Sequence, residues 1–245
     1  MNRHAEDSSG PDLAALAGLL ADGTRARFCL ALLDGRAWTA GELARMAGVA
    51  ASTATEHLNL LVAGGLLTEE RQGRHRYVRL AGADTAALIE SLAAMTPHRR
   101  TPPRSLPAAA RRRALERART CYDHLAGALG VAITDAMTSR GLLDWTHGAA
   151  ITERGTDWLA EVGISPPPAT GRPLVRSCLD WTERRPHLAG GIGAAMCRHA
   201  LDAGWITRIG TGRAVAVTEA GWRALHDHLG LVAEPGPSSG SARSA

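Results

Sequence analysis

Apolar and polar positions alternate at helical spacing in two neighbouring segments, residues 39–47 and 51–61. The first segment begins with Thr39, a residue type that caps helices, and keeps Leu43 and Met46 on one face. A turn that contains a glycine separates the first segment from the second. The pattern therefore predicts two helices joined by a short turn.

The second segment has one apolar face and one polar face. Ala54, Leu58 and Leu61 lie at positions i, i+4 and i+7, which predicts a buried stripe. The positions outside this stripe carry short polar or charged side chains: Ser52, Thr53, Thr55, Glu56 and Asn59. Such side chains on an exposed helix can enter a DNA major groove and reach bases or nearby phosphates. We expect His57 to pack against the protein or to contact the DNA backbone.

A β-hairpin is predicted directly after the second helix. Gly64-Gly65 ends the helix, residues 66–71 and 76–80 form strands, and residues 72–75 form a short basic turn. This hairpin would place a cluster of basic side chains beside the phosphate backbone: Arg71, Arg74, His75 and Arg76. The alternative is a generic helical hairpin next to an exposed β-hairpin. The order of the elements favours a winged helix-turn-helix that binds double-stranded DNA.

Four stretches of the N-terminal part carry a family resemblance: Leu19-Leu-Ala-Asp-Gly-Thr-Arg-Ala-Arg-Phe-Cys-Leu-Ala-Leu-Leu, Ser52-Thr-Ala-Thr-Glu-His-Leu, Ala63-Gly-Gly-Leu-Leu and Arg74-His-Arg-Tyr-Val-Arg-Leu. Over roughly residues 12–96 the chain resembles the ArsR-type (arsenic-repressor-like) winged-helix regulators. The resemblance implies a homodimer and a repressor that leaves DNA when an effector binds. Glu56 stands where relatives often carry His or Gln, and Asn59 where they often carry Lys. Base preference is therefore not transferred, and Glu56 would favour a cytosine amino group.

The metal sites of the metal-sensing relatives have no counterpart in this N-terminal sequence. The helix at 39–47 has no Cys, and the helix predicted at 84–95 has Asp84 and Glu90 but no His. His98 follows that helix alone. Thiolate and imidazole ligands have to converge on one site, so we expect no metal sensing in the N-terminal domain.

Length and composition are compatible with two domains of ordinary size. The net charge is +4 and every fixed cation is Arg, which suits a nucleic-acid partner, although a coding bias would explain the absence of Lys equally well. No apolar run is long enough for a membrane span and the N-terminus is polar, so a cytoplasmic protein is expected. Its four cysteines would then be free thiols or ligands.

The second half of the chain contains an internal repeat. His124-Leu-Ala-Gly-Ala-Leu-Gly matches His187-Leu-Ala-Gly-Gly-Ile-Gly, and in each copy a helix, a glycine, two strands and a Thr-capped helix follow in order. We infer two winged-helix-like units related by a pseudo-twofold axis. The expected fold class is mainly α with small β-hairpins (α+β). The expected domains are a disordered tail (1–11), the winged helix (12–96), a linker (97–110), a duplicated sensing and dimerisation domain (111–232) and a second disordered tail (233–245).

Each repeat carries a cysteine upstream of its histidine. Cys121 and His124 would lie on one face of a helix, and Pro186 would start the corresponding helix before His187. If the two copies face each other, Cys121, His124, Cys178 and His187 converge. Two thiols and two imidazoles suit a zinc-like or copper-like ion, or a redox switch. The alternative is that the cysteines are buried packing residues and the histidines bond locally.

An organic effector is a second interpretation of the same region. Tyr122, Trp145 and Trp181, with the neighbouring Asp123 and Asp180, could line an aromatic pocket with a few polar groups. Cys29 and Cys197 lie in apolar helical contexts and are expected in the core. The effector-binding candidates are therefore Cys121, Tyr122, His124, Cys178, Trp181 and His187, and no cofactor is named.

The sequence shows no catalytic set of the kinds that mark hydrolases or phosphate-binding enzymes. The function it predicts is a dimeric DNA-binding transcriptional regulator, a repressor, whose C-terminal domain senses a small molecule, a metal or a redox effector. The alternative is an architectural or partner-docking DNA-binding protein without a small effector. An enzyme with a DNA-binding appendage is the remaining alternative.

Overall fold

The structure of the protein, a computed structural model, describes residues 9–96, 105–146, 148–168, 172–210 and 212–232. The predicted C-terminal tail, most of the predicted N-terminal tail and residues 97–104 of the predicted linker lie outside the described residues. The first helix begins at Ser9, so the last residues of the expected N-terminal tail are helical. Within the described residues, no helix is long and apolar enough to cross a membrane.

The N-terminal half contains five helices and a three-stranded antiparallel sheet among its described residues. Its elements are α1 (Ser9–Leu20), α2 (Gly23–Leu32), β1 (Trp38–Thr39), α3 (Ala40–Ala47), α4 (Ala51–Ala63), β2 (Leu67–Gln72), β3 (His75–Leu80) and α5 (Ala83–Met95). The sheet order is β1-β3-β2. Helices α2, α3 and α4 pack together over a core centred on Phe28, Leu43 and Leu58.

Helix α3 begins where the sequence predicts, but its buried face differs by one position. Thr39 and Glu42 form a reciprocal capping box, which fixes the start of the helix. The buried residues are Leu43, Ala44 and Ala47, whereas Met46 is 42% exposed. The expectation that Met46 shares the buried face is therefore wrong, because the small alanine side chains allow α3 to pack closely against its neighbours.

Helix α4 buries the stripe that its sequence predicts. Ala54, Leu58 and Leu61 are fully buried, and the helix ends at Gly64 and Gly65. Gly65 has a φ of 74°, the left-handed conformation that glycine adopts at helix ends without steric cost.

The hairpin after α4, strands β2 and β3, is hereafter called the wing. Its strands pair in register from Leu67↔Leu80 to Gln72↔His75, so only Gly73 and Arg74 form the turn. The predicted turn was four residues long and is therefore too long, because pairing continues into both of its ends. Strand β1 pairs with β3 and was not predicted, since two residues are too few to show a period.

The C-terminal half consists of short hairpins and helices. Its elements are α6 (Leu106–Arg117), β4 (Arg119–Cys121), β5 (His124–Ala126), α7 (Gly127–Ser139), β6 (Leu143–Asp144), β7 (Ala150–Ile151), α8 (Glu153–Glu161), β8 (Arg176–Leu179), β9 (Pro186–Ala189), α9 (Gly190–Asp202), β10 (Ile206–Arg208), β11 (Val215–Val217) and α10 (Glu219–Leu229). Helix α6 is capped by Ser105, so the last residues of the expected linker are helical.

The same order of elements occurs twice in this half. Hairpin β4–β5, helix α7, hairpin β6–β7 and helix α8 correspond to hairpin β8–β9, helix α9, hairpin β10–β11 and helix α10. Thr152 and Thr218 cap the last helix of each copy, as the sequence predicts. Each copy therefore carries an additional hairpin before the helix at which the sequence-based unit was expected to begin.

That additional hairpin overturns two expectations. Cys121 and His124 do not share a helical face, because they end and begin the paired strands β4 and β5. Pro186 does not start a helix, because it is the first residue of strand β9 and the helix begins only at Gly190. Proline is tolerated at the first position of a strand, where its missing N–H is not needed.

Candidate functional site

The polar face of α4 is open to solvent. Ser52, Thr55, Glu56 and Asn59 are exposed, and Thr53 is half-buried at the edge of this face. The Thr55 hydroxyl donates to the carbonyl of Ala51 at 2.9 Å, which leaves its methyl group and oxygen on the helix surface. No side chain caps the N-terminus of α4, so its first amides are free of a side-chain acceptor. The helix therefore presents short polar groups and an uncapped N-terminus on one surface.

His57 lies on a different side of α4, against α2. Its ring is in edge contact with Phe28, and its Nδ1 lies 3.4 Å from Arg25 and 3.8 Å from Asp22. Packing against α2 is one of the two roles expected for this residue. The structure thus separates His57 from the exposed polar face.

The wing supplies basic side chains beside α4. Arg71, Arg74 and His75 are exposed, whereas Arg76 is half-buried. The Arg76 guanidinium donates to Asn59 Oδ1 at 2.7 Å and forms an ion pair with Glu69. Arg76 therefore connects the wing to α4 and is partly neutralised, while Arg71 and Arg74 remain the exposed cations near the turn.

Four residues of the C-terminal half, Cys121, His124, Cys178 and His187, form a group hereafter called the Cys-His cluster. In hairpin β4–β5 Cys121 is the strand partner of His124, and in hairpin β8–β9 Cys178 is the strand partner of His187. One donor atom from each residue lies within 4.8 Å of all the others, and all four residues are buried. The two Sγ atoms are 3.9 Å apart, and the imidazoles are stacked with centroids 5.1 Å apart.

Glycines bring the two repeats together at this cluster. Helix α7 packs on strand β9, and helix α9 packs on strand β5. A Cβ on Gly193 would lie 3.2 Å from the Cβ of His124, and a Cβ on Gly130 would lie 3.7 Å from the Cβ of His187. The repeated His-Leu-Ala-Gly-x-x-Gly motif thus places the histidine of each copy against the glycine of the other.

Each histidine of the cluster is backed by an aspartate that an arginine holds. His124 Nδ1 is 3.2 Å from Asp123 Oδ1, and Arg172 binds the same carboxylate through both terminal nitrogens at 2.6 and 3.1 Å. His187 Nδ1 is 3.7 Å from Asp180 Oδ2, and this carboxylate accepts from Arg119 at 2.8 Å. The two halves of the cluster therefore have matching surroundings.

The buried ion pair of Arg119 and Asp180 was not found from the sequence. Both side chains are fully buried, and Asp180 also accepts from the amide of Gly127 at 2.7 Å. Burial raises the pKa of Asp180, but the charge of Arg119 and hydrogen bonds from Thr182, Glu183 and Gly127 outweigh it and hold the pKa far below its usual range. The Arg119 guanidinium also lies 4.7 Å from the ring centroid of Trp181.

The two thiols of the Cys-His cluster differ from the other cysteines. Burial raises the pKa of Cys29 to about 11 and that of Cys197 to about 12, as expected of core thiols. Burial likewise raises the pKa of Cys121. The pKa of Cys178 is lowered instead, because the hydrogen bond from Cys121 outweighs burial and the two nearby imidazoles add to the effect. The cluster therefore favours a thiolate.

The structure does not assemble the aromatic pocket as the sequence predicted it. Tyr122 lines a narrow cleft with small residues of α5 and with every member of the Cys-His cluster except His187. Neither Trp145 nor Trp181 lines that cleft. Trp145 donates to Thr138, and Trp181 covers Arg119. A larger apolar groove, of about 360 Å³, lies between α6, α7, β11 and α10 and contains none of the predicted effector-binding residues.

The Cys-His cluster lies next to the N-terminal half. Strand β8, which carries Cys178, packs against helix α5. The buried Glu90 of α5 accepts from Arg213, which precedes strand β11, at 2.9 Å. This ion pair joins α5, the last helix of the N-terminal half, to the C-terminal half.

Comparison with known proteins gives one match over nearly the whole chain. The chain is 38% identical over 224 residues to the uncharacterized HTH-type transcriptional regulator YdfF of Bacillus subtilis (strain 168), covering 90% of this chain and 98% of YdfF. Residues 20–70 match the family described as a helix-turn-helix domain.

Solved structures match the N-terminal part. HlyU from Vibrio cholerae N16961 is 23% identical and covers 35% of this chain and 92% of its own, with a TM-score of 0.33. A homodimeric winged helix-turn-helix DNA-binding domain from Mycobacterium bovis, described as a possible ArsR-family regulator, is 28% identical and covers 38% of this chain and 86% of its own, with a TM-score of 0.34. The repressor BigR from Xylella fastidiosa is 22% identical and covers 40% of this chain and all of its own, with a TM-score of 0.34.

Proposed function

The chain belongs to the HTH-type transcriptional regulators, and we propose that it is a homodimeric repressor of the ArsR type whose α4 reads operator DNA and whose C-terminal half responds to an effector. The observation that carries the proposal is the division of α4 into a buried stripe and an exposed polar face. Ala54, Leu58 and Leu61 are fully buried, while Ser52, Thr55 and Glu56 face solvent.

Base reading follows from the chemistry of that exposed face. Hydroxyls can donate to or accept from base edges, and the Glu56 carboxylate can accept from the amino group of cytosine. Asn59 is held by the hydrogen bond from Arg76, which restricts the orientation of its amide on the exposed face of the helix. The uncapped amides at the N-terminus of α4 suit a phosphate oxygen.

Backbone contacts come from the wing. Arg71 and Arg74 are exposed at the end of the hairpin and carry no ion pair among the described residues. Guanidinium groups in that position bind phosphate oxygens and release counterions, so they add affinity that depends on salt and not on sequence. The wing would then contact the phosphate backbone, while the polar face of α4 contacts the bases of the same duplex.

A second copy of the chain is the partner that helix α5 suits best. Leu88, Leu92 and Met95 are exposed and recur at i, i+4 and i+7 on α5, and Leu13 of α1 is exposed as well. Such a stripe on a water-soluble surface favours a self-complementary helical interface. A dimer through α5 would present two α4 helices to two half-sites of an inverted repeat.

The C-terminal half is proposed as the sensing part because it buries polar groups that no packing role requires. The Cys-His cluster and the Arg119–Asp180 pair lie between the two repeats and beside α5. An effector that binds to this half with different affinities in the DNA-bound and released forms would shift the equilibrium between them. The proposal assigns no enzymatic activity to this half.

The experiment that tests the proposal is selection of bound duplexes from a pool of random sequence, using the full chain. The expected result is an inverted repeat whose half-sites lie about one helical turn apart. The Thr55→Ala and Thr156→Ala variants are a matched pair, because both threonines are exposed on helices and donate to the carbonyl four residues earlier. Only Thr55→Ala should change the selected sequence; no enrichment by the wild-type chain would refute the proposal.

A further inference from the structure

We propose that Cys121, His124, Cys178 and His187 bind one divalent, zinc-like metal ion in a closed tetrahedral site between the two repeats. This inference goes beyond the proposed function, because it concerns the C-terminal half alone and does not depend on DNA binding. It rests on four features of the described residues: the spacing of the donor atoms, the unpartnered imidazole nitrogens, the matching second shell and the balance of charge.

The spacing of the two sulfur atoms matches that of two thiolates bound to one tetrahedral ion. Zinc–sulfur bonds are about 2.3 Å long, so two thiolates at adjacent corners of a tetrahedron lie about 3.8 Å apart. The sulfurs of Cys121 and Cys178 are 3.9 Å apart, whereas a disulfide requires about 2.05 Å. All four donor atoms lie within 4.8 Å of one another, which is compatible with a single ion at their centre.

The imidazoles carry nitrogens that have no partner. His124 Nε2 and both ring nitrogens of His187 are buried and make no hydrogen bond with any described residue. A buried polar atom without a partner costs free energy, so such atoms are rare in folded proteins. An ion at the centre of the cluster would be bound by one nitrogen of each ring.

An aspartate lies on the Nδ1 side of each ring, in hydrogen-bond contact with His124 and at 3.7 Å from His187. Asp123 lies at Nδ1 of His124, which leaves Nε2 for a ligand, and Asp180 lies toward Nδ1 of His187. Arg172 and Arg119 hold these two carboxylates in place. A carboxylate behind a ligating histidine is the usual second shell of a zinc site, since it fixes the tautomer and raises the basicity of the ligand.

Charge and donor type select the kind of ion. Two thiolates and a divalent cation sum to zero. The surrounding Asp123–Arg172, Asp180–Arg119 and Glu90–Arg213 pairs are each neutral as well, so these buried groups would carry no net charge. A monovalent ion would leave one negative charge in a fully buried site, which is costly. The absence of oxygen ligands from the cluster disfavours magnesium and calcium, and two sulfurs with two nitrogens suit zinc or cobalt.

The site is closed, which defines its role. All four positions are filled by protein, and His187 and Cys121 are almost wholly inaccessible to solvent. Closed four-ligand sites hold structure together, whereas catalytic sites keep an open position. The ion would therefore join hairpin β4–β5 of one repeat to hairpin β8–β9 of the other.

The first test measures metal in the purified full-length chain. Elemental analysis should find about one zinc per chain, and replacement by cobalt should give the visible absorption of a tetrahedral ion with thiolate-to-cobalt charge transfer. Cys178→Ser should lose both signals. Cys197→Ser is the matched control, because Cys197 is equally buried but lies outside the cluster, and it should retain both.

A variant that gains a cobalt signal is also needed, because Cys178→Ser could lose its signals by failing to fold. His187→Cys would supply a third thiolate, so bound cobalt should show stronger charge transfer than in the wild-type chain. The proposal is overturned if the wild-type chain, reduced and supplied with zinc or cobalt, binds neither or binds cobalt octahedrally. It is also overturned if the isolated chain carries a Cys121–Cys178 disulfide and no metal. These readouts need no DNA, so they separate failure of the metal site from failure of the proposed regulator.

Discussion

The backbone amide of Tyr122 donates a hydrogen bond to the carbonyl of Leu33 at 2.7 Å. Leu33 is the C-cap of helix α2 in the winged helix-turn-helix, and Tyr122 lies in the turn between Cys121 and His124. The carbonyl of Tyr122 is so close to Gly35 that a Cβ at this glycine would lie 2.9 Å from it. The turn that carries half of the Cys-His cluster is thus fixed directly to the DNA-binding half.

Loss of charge at the end of the wing should weaken binding to all duplexes alike. In Arg71→Ala/Arg74→Ala the slope of log affinity against log salt should fall by about one to two units per half-site, because fewer phosphates are neutralised. The measurement is fluorescence anisotropy at several salt concentrations. Arg223→Ala is the control, because Arg223 is exposed on α10, far along the chain from the wing. An unchanged slope in the double variant would exclude the wing from the interface.

Loss of Arg76 should act on sequence preference more than on the salt slope. Arg76 is paired with Glu69 and positions Asn59 by a hydrogen bond of 2.7 Å, so Arg76→Ala frees the Asn59 amide to rotate. We expect a relaxed preference at one position of each half-site, by about 1 kcal/mol or more. Competition with duplexes that carry single-base changes measures this loss of base preference. A uniform loss across all duplexes would show that Arg76 serves only as a phosphate contact.

A methyl group at Gly193 should displace His124. The added Cβ would lie 2.7 Å from the carbonyl oxygen of Leu188 and 3.2 Å from the His124 Cβ. We expect Gly193→Ala to lower the free energy of unfolding by about 1–3 kcal/mol, the usual cost of overpacking, and to weaken cobalt binding. Gly18→Ala is the control, because a Cβ at Gly18 of α1 meets no atom within 4 Å. Equal stability of the two variants in urea would contradict the close packing of the repeats.

Removal of the Asp180 charge should destabilise the C-terminal half strongly. Asp180→Asn leaves the buried Arg119 without its counter-charge, which typically costs about 3–5 kcal/mol in free energy of unfolding. Asp135→Asn breaks an exposed pair with Arg185 and should cost less than about 1 kcal/mol. Urea unfolding of both variants makes the comparison. Similar small effects would mean that Arg119 finds another partner or reaches solvent.

The helix-turn-helix was predictable from sequence because its signals are local and repeated. The Thr39 cap, the stripe of Ala54, Leu58 and Leu61 and the glycines after α4 each follow from short-range physics, and each is found in the structure. The position of Met46 was wrong because burial at the α3 surface depends on which neighbour packs there, and that is a tertiary property.

The C-terminal half was predictable in its repetition but not in its hairpins. Strands β4 and β5 have three residues each, too few for an alternating pattern, and their turn uses Tyr122 at a φ of 60° instead of a glycine. A helix was therefore the natural interpretation of Cys121 to His124. The convergence of the Cys-His cluster was expected only if the two copies face each other, and the structure brings one donor atom of each residue within 4.8 Å of the others.

The Arg119–Asp180 pair was not found from sequence, although Arg-x-Cys-x-Asp occurs in both repeats, at 119–123 and 176–180. The ion pair joins the arginine of one copy to the aspartate of the other, 61 positions away. Asp123 and Asp180 each lie two residues after a cysteine of the Cys-His cluster, and each is bound by an arginine. Pairwise chemistry of this kind requires coordinates, since the sequence does not indicate which arginine reaches which carboxylate.

The exposed polar face of α4 is the part of the molecule on which the regulator assignment depends most. The most direct test compares the affinity of the full chain for its selected duplex with that for a scrambled duplex, for the wild type, Ser52→Ala/Thr55→Ala and Thr156→Ala. The account predicts that the wild type and Thr156→Ala prefer the selected duplex by about a thousandfold or more, and that the double variant loses at least about tenfold of that preference. Full retention of the preference by Ser52→Ala/Thr55→Ala would contradict it.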